Sequence, residues 1–71
     1  MNPTVGRIVH YQTYGTPGGE HSPETVAAVI TAVRHETVDL FVIYPNGTSH
    51  KADVTYAENP TPGHWSWPPR V

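Results

Sequence analysis

A chain of 71 residues makes one small domain with a thin core, because at this size only about 60% of the surface of the unfolded chain is buried on folding. Having no cysteine, it has neither a disulfide staple nor a thiolate metal site, which favours a reducing compartment or an assembly that lends stability. Four Lys and Arg against six Asp and Glu give a net charge of −2, so there is no electrostatic footprint for nucleic acid or for an anionic membrane.

The amino-terminal stretch Met1-Asn2-Pro3-Thr4-Val5 shows no basic segment leading into an apolar run, and so reads without a secretion signal. The longest mainly apolar windows, 26–33 and 38–44, fall far short of the ~20 residues that cross a bilayer. Gly6-Arg7-Ile8-Val9-His10-Tyr11-Gln12-Thr13-Tyr14 is rich in β-branched and aromatic residues and reads as a first strand. The Gly and Pro of Gly15-Thr16-Pro17-Gly18-Gly19-Glu20-His21-Ser22-Pro23 then enforce a long loop.

Segment 25–34 carries two signals. Ala27, Ala28 and Ala32, a capping pattern at Ser22-Pro23-Glu24 and the spacing of Val26, Val29, Ile30 and Val33 suit a helix at about 24–34. Thr25, Val26, Val29, Ile30, Thr31 and Val33 are all stiff at χ1, however, and a further β run follows after only His35-Glu36-Thr37, which favours a second strand.

The third and fourth strands span 38–44 and 49–56, joined by Asn46-Gly47, a pair suited to the positive φ angles of a type I′ turn. In the third, Leu40, Val42 and Tyr44 share one face and Asp39, Phe41 and Ile43 the other; apolar groups on both faces mark a central strand. In the fourth, Ala52, Val54 and Tyr56 alternate with Lys51, Asp53 and Thr55, the pattern of an outer strand with one wet face. After the Asn59-Pro60-Thr61-Pro62-Gly63 loop, His64-Trp65-Ser66-Trp67-Pro68-Pro69 reads as a short closing strand with both indoles on one face. The fold expected is all-β, a single SH3-like barrel of four to five antiparallel strands over 1–71, with an α+β domain as the alternative should 24–34 be helical.

No constellation of residues forms a chemical signature. His10, His21, His35, His50 and His64 are not paired at ligand spacing, so no metal site is expected. Ser22, Ser49 and Ser66 lack a nucleophile elbow, and no carboxylate pair stands out, so no enzyme is read and no cofactor is implied. Thr16-Pro17-Gly18-Gly19 lacks the following Lys of a phosphate loop. Aromatic residues remain. Tyr11, Tyr14, Tyr44, Tyr56, Trp65 and Trp67, with His64 beside the indoles, form the candidate binding surface, since Tyr and Trp concentrate binding energy at interfaces. In so small a core at least one indole is expected to pack inward, leaving the pair half core and half groove.

Gly6-Arg7-Ile8-Val9-His10-Tyr11, Gly15-Thr16-Pro17-Gly18-Gly19, Ala27-Ala28-Val29-Ile30-Thr31-Ala32-Val33, Asn46-Gly47-Thr48 and Pro62-Gly63-His64-Trp65-Ser66-Trp67-Pro68 resemble small proteins encoded by actinobacterial phages and prophages, over nearly the whole chain. That family has no agreed activity, so the resemblance brings no site residues. It implies a setting in the host bacterial cytoplasm or in the virion. The function expected is a non-enzymatic module binding a host or phage protein, with a virion accessory subunit, as a single chain or a homo-oligomer, as the alternative.

Overall fold

The computed structural model describes residues 2–15, 18 and 22–69. Five strands account for its regular structure: β1 (Ile8–Gln12), β2 (Thr25–Val33), β3 (Thr37–Tyr44), β4 (Gly47–Thr55) and β5 (Trp65–Ser66). They form one sheet in the order β4-β3-β2-β1-β5, with every neighbouring pair antiparallel. The described residues contain no helix. The segment with two sequence signals is β2: Val26, Ala28 and Ile30 are buried while Thr25, Ala27 and Thr31 are exposed, a period of two that only a strand produces.

The sheet curls until its end strands meet. Tyr56, just past β4, bridges Trp65 of β5 in a parallel sense, and the Ala57 N–H donates to the Trp65 carbonyl at 2.9 Å. The result is a curled half-barrel, a small SH3-like fold, whose concave side holds the core. Val9, Ala28, Ile30, Val38, Leu40 and Val42 are its fully buried centre. Tyr11, Val26, Val54 and Trp65 complete it, with Tyr44 and Trp67 packed against it.

Two irregularities concentrate the bend. In β2 the register shifts between Ile30 and Ala32, and between β3 and β4 it shifts between Val38 and Leu40, so both flank Asp39. An extra residue on one strand raises the local twist. At the second shift Asp53 takes a φ of 53°, and its N–H donates to Asp39 Oδ1 at 3.1 Å. Thr37 Oγ1 donates to Asp53 Oδ1 at 3.2 Å, and Arg34 Nη2 to Asp39 Oδ2 at 2.6 Å. A cluster of side chains therefore pins the bulge.

This bulge corrects the expected faces of β4. Lys51 lies opposite Leu40 and Ser49 opposite Val42, on the core-facing side, whereas Val54 lies opposite Val38 on that same side. Ala52 and Val54 thus fall on opposite faces, because the intervening Asp53 adds one residue to the strand.

The hairpin turn is also corrected. Tyr44 pairs with Gly47, so the two corner residues are Pro45 and Asn46, and neither Asn46 nor Gly47 takes a positive φ. Proline locks φ near −65°, which suits the first corner of a type I turn and is incompatible with type I′.

Candidate functional site

An open cleft of about 620 Å³ lies at the end of the barrel where β2 turns into β3. Its aromatic wall is Tyr56, Trp65 and Trp67. Trp65 stands at the centre of this wall: the Tyr56 ring meets it edge-on with centroids 4.9 Å apart, and the Trp67 ring meets it nearly at a right angle with centroids 5.2 Å apart. Edge-to-face pairs of this kind add roughly 0.5–1.5 kcal/mol beyond the area they bury. They also fix the rings in place. Trp65 is buried, Trp67 half-buried and Tyr56 exposed, so the wall grades from core to solvent.

The position of each ring follows from the chain. Trp65 lies opposite Tyr11, which faces the core, and alternation carries Trp67 to the same side two residues on. The bridge from Tyr56 to Trp65 lays the phenol beside the indole. The Arg7 guanidinium sits 5.3 Å from the centroid of the Trp67 ring, where its charge meets the negative face of the indole.

The opposite wall is the β2–β3 connection, Arg34, His35 and Glu36, closed by the Arg34 N–H donating to the Thr37 carbonyl at 2.8 Å. Val33 and Val38 supply its apolar base, and Asn2 and Pro3 line the cleft from the amino-terminal side. Arg34 is engaged by Asp39, whose carboxyl is held below the usual carboxylate range by that hydrogen bond first and by the Asp53 N–H second. Glu36 and His35 are exposed at the rim.

The seven residues expected to form one surface separate into two places. Tyr56, Trp65 and Trp67 line the cleft; Tyr11, Tyr14, Tyr44 and His64 do not. Tyr11 is buried among core residues, and burial pushes its phenol pKa up, with Tyr14 and Tyr44 adding to the effect. These three phenols thus gather at the other end of the barrel. Tyr44 packs against the core, while Tyr14 is 71% exposed and lies over Gly63. His64 serves its own loop: Nδ1 lies 2.9 Å from the Pro62 carbonyl, to which it donates.

Arg34, His35, Glu36, Val33 and the Asn2-Pro3 segment went unread as site residues. The one sequence signal for them is the three-residue spacing between β2 and β3, which forces a tight connection at a barrel end. Among the described residues, no three His, Cys, Asp or Glu side chains come together to hold a metal ion; His21 lies outside those residues. No protein-family model, curated protein or solved structure matches the chain.

Proposed function

We propose that this chain is a non-enzymatic protein-binding module that receives an extended, proline-bearing segment of a host or phage protein in the aromatic cleft. The observation that carries this reading is the edge-to-face triad Tyr56, Trp65 and Trp67 along an open cleft of about 620 Å³, within the range of ordinary ligand sites. The exposed Tyr56 ring and the half-buried Trp67 ring offer apolar surface to the preformed pyrrolidine rings of an extended Pro-rich strand, which loses little entropy on binding. The chain's own Pro3, half-buried on the cleft wall, supports the choice of proline as the residue type the cleft accepts. The phage or prophage setting rests on the sequence resemblance and is part of the proposal.

Trp67 and Tyr56 are the residues to test, because they are the accessible members of the triad. In a capture experiment from host lysate, and in tryptophan-fluorescence titration with Pro-rich peptides, Trp67→Ala and Tyr56→Ala are each expected to weaken binding by roughly tenfold or more, as hot-spot aromatics do. Retention of every partner by both variants, with circular dichroism showing an intact sheet, overturns the reading. A second reading, an accessory subunit of the virion, draws on Ile8, Val29, Phe41 and Ile43, which the register places on the side of the sheet away from the core. Mass spectrometry of purified particles tests it, and absence of the chain from them removes it.

A further inference from the structure

The amino-terminal segment lies outside the five strands, yet it reaches the cleft. β1 opens at Ile8, opposite Val29 of β2, and the pairing continues one step further back: the Ile30 N–H donates to the Arg7 carbonyl at 3.0 Å and the Gly6 N–H to the Ile30 carbonyl at 2.7 Å. There the chain turns. The Arg7 N–H donates to the Thr4 carbonyl at 3.2 Å, closing a four-residue turn whose third residue, Gly6, has a φ of +91°. Val5, the second, is not on the positive side, so the turn is type II, with the left-handed corner on a residue that adopts it without strain. A Cβ at Gly6 would meet nothing within 4 Å, so the angle alone accounts for the glycine. Beyond the turn Asn2 and Pro3 line the cleft, with Pro3 half-buried, and Arg7 on the other side of it lays its guanidinium over the Trp67 ring at 5.3 Å.

We infer that residues 2–4 are an autoinhibitory strap: Pro3 competes from within the chain for the surface that an external proline-bearing segment takes, and the ligand gains the whole cleft only when the strap swings away about the Thr4–Arg7 turn. This rests on the reading of the cleft as a site for extended, proline-bearing protein. The internal occupant is of the same residue type as the ligand. Proline has no N–H to give to a sheet ladder, so contact within the cleft, not strand pairing, sets the place of Pro3. No strand includes it, and its departure unpairs none. A tether of a few residues also keeps it at high effective concentration beside the cleft. One half-buried proline makes a weak contact, so the strap is docked most but not all of the time. At roughly 70–90% docking, the apparent affinity of an external ligand falls by roughly three- to tenfold.

Tryptophan fluorescence of the full chain tests both docking and competition. Of the two tryptophans Trp65 is buried, so acrylamide quenching reports chiefly on Trp67. Pro3→Ser removes the internal occupant, and Gly6→Ala strains the turn without a clash. Each is expected to raise quenching. Each should also tighten binding of an oligoproline peptide of about ten residues, Pro3→Ser by roughly three- to tenfold and Gly6→Ala by less. Val5→Ser, at a residue 66% exposed and outside the cleft lining, should behave as wild type, and circular dichroism should show an intact sheet in all three. Equal peptide affinity in wild type and Pro3→Ser overturns the strap and leaves the cleft reading standing. Weaker binding by Pro3→Ser overturns it as well, because Pro3 then belongs to the ligand's platform, and so does unchanged quenching. Absence of peptide binding by wild type and every variant fails the cleft reading and takes the strap with it.

Discussion

Gly63 shows how one backbone angle positions an aromatic ring. Its φ is +78°, and its N–H donates to the Gln12 carbonyl at 2.8 Å while the Gln12 N–H donates to the His64 carbonyl at 3.1 Å. These bonds extend the β1–β5 pairing and set the entry of the chain into Trp65. A Cβ at this position would run into the Tyr14 phenol. Gly63→Ala is therefore expected to cost about 1–2 kcal/mol for the left-handed backbone and somewhat more for displacing Tyr14. The second part is separable, because the same substitution in a Tyr14→Ala background should cost less, as read from urea unfolding midpoints. Asp53, with φ 53°, is a non-glycine residue on the left-handed side, and it was invisible in an alternating pattern that treats each residue of a strand alike.

At the level of the elements, Asp39 joins three parts of the sheet. Its carboxylate takes the Arg34 guanidinium from the β2–β3 connection and the Asp53 N–H from the bulge of β4. Both interactions favour the ionised form, so its pKa in the folded chain lies below the ordinary value. A depressed carboxylate pKa stabilises the fold above its unfolded value, near pH 4, and that contribution fades as the pH falls through the folded value. Asp39→Asn should melt below wild type at neutral pH, and the gap between the two melting temperatures should narrow as the pH drops below about 4. A constant gap across that range would remove Asp39 ionisation as the cause. The strands themselves were legible from β-branched residues and punctuation, and β3 and β4 take the central and outer places that their patterns indicated. The turn was displaced by one residue because Pro45 dictates the corner more strongly than Asn46-Gly47 invites one.

For the molecule as a whole, stability and recognition are divided between two adjacent indoles. Trp65 belongs to the core and Trp67 to the surface, although both lie on one side of the chain. A domain of this size has a net stability of roughly 4–10 kcal/mol. Trp65→Ala, at about 3–5 kcal/mol, is expected to remove a third or more of that margin and to lower the melting temperature sharply. Trp67→Ala should keep a cooperative thermal transition, because the residue it removes is only half-buried. Circular dichroism melts of the two variants check this, and equal losses would contradict the division.

What the amino-acid sequence determined by itself is local: the four to five β segments and the hairpin that joins the third to the fourth. These follow from χ1 stiffness, proline and glycine geometry and alternation, which act over a few residues. Only the tertiary structure decided which aromatic rings are core and which are wall, because that depends on where a bulge at Asp53 and a curl at Asp39 bring distant strands together. The same holds for the cleft, whose opposite sides are some thirty residues apart in the chain, at Glu36 and Trp67, and meet only when β4 closes on β5.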